Sequence, residues 1–246
     1  MLLDLLNSGM VAGFQSEAFK VALASVLLTL PIIILALSVH ETAHGWVAYK
    51  LGDPTAKNLG RLTLNPLKHL DPFGFLAMLI VGFGWARPVP INTRNFKNPR
   101  WGMALSGIAG PLSNLLLAMI SFVPYIILNF SLNLSGVSPE EVHILLQILR
   151  TFLYLNSYLN LALAIFNLIP VPPFDGSRFL FVFLPSKWYF KVMKYERYTG
   201  IILLVVLMIL SHFGISPVSL VVDFILDTVY LACAILVNMI LPLILA

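Results

Sequence analysis

The sequence predicts an all-α polytopic membrane protein, and three observations carry that prediction. Of its 246 residues, 59% are hydrophobic and 11% are charged. Soluble domains run at roughly 45–50% apolar and about 25% charged, so this chain lacks the polar groups to cover a water-facing surface. Its mean hydropathy is +0.91. Second, the apolar residues fall in long runs, near the roughly 20 residues that a helix needs to cross a bilayer. Third, 13 of the 15 basic residues fall in two stretches. About five to six transmembrane helices are expected, with a re-entrant or β-hairpin-like segment near 73–91. Residues 1–246 read as a single membrane-embedded domain. The lone cysteine, Cys233, excludes a disulfide framework and a cysteine zinc site.

The elements follow in order. The first apolar run, from Met1, contains Asp4 and has no basic leader, so no cleavable signal peptide is expected. A span over about 20–48 holds the run Val21 to Val39, with Pro31 near its middle, and passes without a turn signal into His40-Glu41-Thr42-Ala43-His44. Residues 51–72 are polar and turn-rich. Phe73 to Trp85 is apolar but too short to cross, and it carries Gly74, Gly82 and Gly84 before Arg87-Pro88-Val89-Pro90. Irregular backbone at that depth survives only where protein or a wet cavity satisfies it. The span at about 101–130 opens with Gly102, Ser106, Gly107 and Gly110, which suit close helix contact. A third span, about 143–169, ends at Asn167 before a Pro-rich stretch that no regular helix can traverse. Spans at about 199–213 and 218–243 complete the set.

The two basic stretches lie between the first and second spans and between the third and fourth. Lys187 to Arg197, with Trp188 and Tyr189, reads as an interfacial anchor rather than a nucleic-acid patch. Five spans place both basic stretches on one side, and the positive-inside rule makes that side the cytosol, with the N-terminus outside.

His40 and His44 stand four residues apart, so on a helix they project from one side about one turn apart and can share an ion. Glu41 lies beside that ion without ligating it, placed to take a proton from water. Ionisable residues inside an apolar run are costly and functional by default. A catalytic ion needs a third ligand. His69 lies in a loop, and His143 and His212 fall at the opposite face. Asp53, Asp71 and Asp175 are the carboxylates on the cytosolic side. The first two sit in Gly-Asp-Pro and Leu-Asp-Pro contexts that suit turn caps. Asp175 follows three prolines in four residues, which hold the chain extended and can aim its carboxylate back at the first span.

His40-Glu41-x-x-His44, joined with Asn167-x-x-Pro170-x-Pro172-x-x-Asp175-Gly176, resembles the site-2 protease family of intramembrane zinc metalloproteases. Further family-like stretches are Asn65-Pro66-x-x-His69-x-Asp71-Pro72-x-Gly74, Gly84-Trp85-Ala86-Arg87-Pro88-Val89-Pro90 and Ala109-Gly110-Pro111-x-x-Asn114. The resemblance implies one catalytic zinc held by His40, His44 and Asp175, with Glu41 as general base. It implies that Asn167 holds the scissile carbonyl or its oxyanion; the residue also suits a helix cap, and both can hold. The implied substrate is a transmembrane protein cut within or near its membrane segment, in a prokaryotic cytoplasmic membrane. The family's PDZ and CBS domains are not expected in this chain. Residues 73–91, with Gly82, Gly84 and Trp85, either hold an extended substrate by strand addition or brace the first span. A metal transporter built on the same three ligands would need further ligands toward the outer face, and the spans at 101–130, 199–213 and 218–243 offer almost none.

Overall fold

In lipid a backbone N–H or C=O has no water to bond, so unbroken apolar stretches satisfy themselves as helices. The computed structural model describes residues 17–81, 84–134, 142–185 and 195–245. Gly82, the segment 1–16 and the basic run from Lys187 to Lys194 lie outside the described residues. The α-helices are α1 (Glu17–Lys50), α2 (Thr55–Asn58), α3 (Pro72–Val81), α4 (Pro99–Leu134), α5 (Ile144–Asn167), α6 (Asp175–Leu180), α7 (Glu196–His212) and α8 (Pro217–Leu245). Four of these contain stretches long and apolar enough to cross a membrane: Phe19–Lys50, Pro99–Leu132, Ile144–Asn167 and Pro217–Ile235. The fourth expected span, about 199–213, folds as α7, whose 17 residues rise about 25 Å, less than the ~30 Å hydrocarbon core. The protein is a multi-pass membrane protein.

Helix α4 is central, packing against α1, α5 and α6. A cluster of Ala118, Phe122, Ile126, Leu161, Val222 and Leu226 ties α4, α5 and α8 together. Away from it, Leu112, Leu116, Met119, Val123 and Phe224 are exposed, as lipid-facing side chains are. The small residues that open α4 receive other parts of the chain. Gly102 meets Phe96, Gly107 meets Arg178, and Gly110 meets the imidazoles of α1. Polar residues in α4 and α8 are more frequent than the transporter argument assumed: Asn114 and Ser121 are buried in α4, and Asp223 and Asp227 stand exposed one turn apart on α8.

The segment near 73–91 is half helix. Helix α3 has ten residues, and from Gly84 the chain returns past the loop before α3. Leu70 and Ala86 form an isolated antiparallel bridge, and the Arg87 N–H donates to the His69 carbonyl at 2.7 Å. Glycine is required at this fold-back. A Cβ on Gly84 would strike the Gly74 carbonyl, and one on Gly74 would strike that of Trp85.

Asp53 organises the loop after α1. Its buried carboxylate accepts from the Thr55 N–H at 3.1 Å, the Asn92 N–H at 2.7 Å and Asn95 Nδ2 at 2.7 Å. Asp71 accepts from the Gly74 N–H at 2.8 Å and caps α3. Burial pushes the Asp53 carboxyl up, but the donors from Thr55, Asn95 and Asn92 outweigh it and hold the group below its ordinary value. The stabilisation is therefore present above the unfolded-state value near 4 and is lost as pH falls through the lower folded-state value. Asp53→Asn is expected to lower the melting temperature at pH 7. Its deficit should shrink below about pH 4 in thermal scans of detergent-solubilised protein. A deficit constant across that range would count against this role for the charge.

Candidate metal centre

His40 and His44 lie on the inner side of α1, 5% and 7% exposed. Position i to i+4 brings their rings to 4.5 Å between centroids, crossed at 86°. The Pro-rich turn after α5 starts α6 at Asp175, whose carboxylate reaches back across the bundle. Gly176 allows this approach, since a Cβ there would strike the backbone of Leu168 at the end of α5. His40 Nε2 lies 2.9 Å from His44 Nε2, and Asp175 Oδ2 lies 3.1 and 3.2 Å from the two nitrogens.

Three electron-pair donors therefore point at one spot. The outer nitrogens decide this. His40 Nδ1 lies 2.6 Å from Asn114 Oδ1, and His44 Nδ1 lies 2.6 Å from the Ser106 carbonyl oxygen. Both partners can only accept, so each Nδ1 carries the proton and each Nε2 turns a lone pair inward. Two nitrogens at about 2.0–2.1 Å on a tetrahedral ion stand about 3.3 Å apart, close to the separations seen. The donor set of two neutral imidazoles and one carboxylate suits a divalent ion with one position left for water.

Glu41 is tied to the extended segment, with Oε2 accepting from the Val89 N–H at 2.8 Å. Val89 lies between Pro88 and Pro90, and neither proline has an N–H to offer. The Arg61 guanidinium, itself buried, donates from Nη2 to the carbonyls of Arg87 at 2.8 Å and Pro88 at 3.2 Å. It thereby holds the segment against the loop that follows α2. Beside the centre opens a cavity of about 820 Å³ lined by His40, Glu41, His44, Asp175, Asn167, Gly84 and Trp85, with apolar walls from α1, α3 and α5. Asn167 sits at the end of α5 and donates from Nδ2 to the Leu163 carbonyl at 2.9 Å. His69 stands apart, buried in the loop and donating from Nε2 to the Thr63 carbonyl at 2.7 Å.

Sequence reasoning did not anticipate Arg61, Asn156 or Asn160, and it read Ser106 only as a helix-packing residue. It read Gly110 as a helix-packing residue and left Asn114 without a role. An Asn about two turns before Asn167, and one turn after Asn156, was the available signal for Asn160.

The fold and this donor set define a membrane helix bundle with a candidate metal site. A profile of peptidase family M50 matches residues 28–212. A Bacillus subtilis protein named "Putative zinc metalloprotease YwhC" is 45% identical over 173 residues, covering 70% of this chain and 76% of its own. "Zinc metalloprotease MJ0392" of Methanocaldococcus jannaschii is 28% identical over 193 residues, 78% of this chain and 45% of its own. "Putative zinc metalloprotease Rip2" of Mycolicibacterium smegmatis is 27% identical over 148 residues, 58% of this chain and 52% of its own. No solved structure matches at a significant level. The chain belongs to peptidase family M50, the site-2 protease family of zinc metalloproteases.

Proposed function

We propose that the chain is an intramembrane protease that hydrolyses peptide bonds within or near transmembrane segments of other membrane proteins. The observation that carries this reading is the donor triangle of His40, His44 and Asp175 opening, beside Glu41, onto an apolar cavity. The three residues would hold zinc, which when bound supplies Lewis acidity to water and to the scissile carbonyl.

Glu41 is the proton carrier. One of its oxygens accepts from the Val89 N–H, which leaves the other to take a proton from water and return it to the leaving amine. Asn167 Nδ2 has two hydrogens and gives one to the Leu163 carbonyl. The second is free to meet the oxyanion, so capping and stabilisation are compatible. A substrate helix must unwind before its carbonyl is open to attack, and an extended strand laid along 84–91 at Gly84 and Trp85 would regain the lost backbone bonds. A partner role for Gly82 belongs to the same proposal. The reading puts the catalytic end of the bundle near the cytosolic face of a prokaryotic cytoplasmic membrane, with the N-terminus outside; the positive-inside rule applied to the two basic stretches supports that orientation.

The test is cleavage of a labelled single-span peptide by the reconstituted protein in liposomes. Chelation should abolish cutting, and added zinc should restore it. Cutting that persists after zinc has been removed to below one-tenth occupancy would overturn the reading.

A further inference from the structure

A chain of buried amides leads away from the metal centre through three helices. Asn114 of α4 accepts from His40 at Oδ1 and donates from Nδ2 to Asn160 Oδ1 of α5 at 2.9 Å and to the Ala36 carbonyl at 3.2 Å. Asn160 donates from Nδ2 to Asn156 Oδ1 at 3.0 Å and to the Asn156 carbonyl at 2.9 Å. Asn156 in turn donates to Ser121 Oγ of α4. Asn114 and Asn160 are fully buried, and Asn156 and Ser121 nearly so.

Every side-chain donor in this chain points the same way, away from the imidazole. That common direction removes a freedom which an isolated amide would have. Were Asn114 reversed, its oxygen would face two further oxygens, Asn160 Oδ1 and the Ala36 carbonyl, and its NH₂ would face His40 Nδ1. His40 would then carry its proton on Nε2, and the lone pair directed at the centre would be lost. Asn160 is fixed by the same logic, because both groups that it meets at Asn156 are acceptors. Desolvated amides at this depth are costly to leave unpaired, so each orientation is enforced by the next.

The geometry points to Asn160, backed by Asn156 and Ser121, as a positioning residue for the metal: it orients Asn114 and so holds His40 in the one tautomer that can ligate. The inference rests on the proposed metal centre and deepens it. Removing a partner of a ligating histidine typically weakens metal binding by about 10–100-fold.

The experiment measures zinc affinity by chelator competition, and the visible absorption of the cobalt form, for wild type, Asn160→Leu, Asn160→Ser and Ser157→Ala. Ser157 is equally buried on α5, and its hydroxyl donates within its own helix to the Leu153 carbonyl. Both Asn160 variants are expected to bind zinc at least tenfold more weakly, with altered cobalt spectra, while Ser157→Ala matches wild type. The milder Asn160→Ser keeps the test open if Asn160→Leu does not fold. Zinc affinity within twofold of wild type in a folded Asn160 variant, with only its zinc-free melting temperature lowered, would overturn the inference: the amides would then serve helix packing alone. Failure of wild type itself to bind zinc would instead refute the metal centre, a result that the chelator titration separates from the other two.

Discussion

Glu41→Gln is expected to abolish cleavage while zinc remains bound. The amide matches the carboxylate in size and can still accept from the Val89 N–H through its oxygen, so the 2.8 Å contact and the extended segment should keep their places. It has no basic oxygen to take a proton from water. A positioned general base contributes about 10²–10⁴-fold, and the single-turnover rate in liposomes should fall by that much. His40, His44 and Asp175 are untouched, so zinc measured by mass spectrometry should stay at one per chain. A rate near that of wild type would remove Glu41 from the mechanism. Loss of zinc together with rate would give it a structural part.

Gly110→Ala is expected to empty the metal centre and to lower stability, against the ordinary trend. Within a helix this substitution usually gains about 1 kcal/mol. Here the new methyl would overlap His44 Nε2 and Cε1 and stand 2.6 Å from His40 Cε1. The rings cannot swing aside freely, because each is held at Nδ1, one by Asn114 and the other by the Ser106 carbonyl. Overpacking of this kind costs about 1–3 kcal/mol, which exceeds the propensity gain. Either α4 moves off α1 or the two nitrogens lose their common target. Zinc titration and thermal melting in detergent read both consequences. Zinc binding equal to wild type with a raised melting temperature would show that the rings have room.

The legible parts of this protein were those set by short-range physics. Membrane residence follows from solvation, residue by residue, and the shared face of His40 and His44 follows from helical periodicity. The all-α bundle was therefore readable, including the break after Asn167, where prolines end α5. Other parts were not readable. The segment 73–91 read as re-entrant or hairpin-like because it is too short and glycine-rich to cross as a helix; the structure shows Pro72–Val81 as helix α3 and the return past the Leu70–Ala86 bridge. The small residues opening α4 signalled close approach without saying to what. Gly110 faces imidazoles rather than a flat helix surface, and only the packing of α4 on α1 reveals it.

By itself, the sequence determined that the chain lives in lipid, that two imidazoles share a helix face beside a carboxylate, and that three aspartates near one end could join them. The tertiary structure decided which aspartate does. Asp53 and Asp71 accept from donors in the loops around them, whereas Asp175 crosses 135 positions of sequence to meet His40. It also decided which way each imidazole faces, through Asn114, Asn160 and the Ser106 carbonyl. The physical reason is the range of the interactions. Solvation and helical repeat act within a few residues, but a lone pair is aimed by whatever the closed bundle places behind the ring.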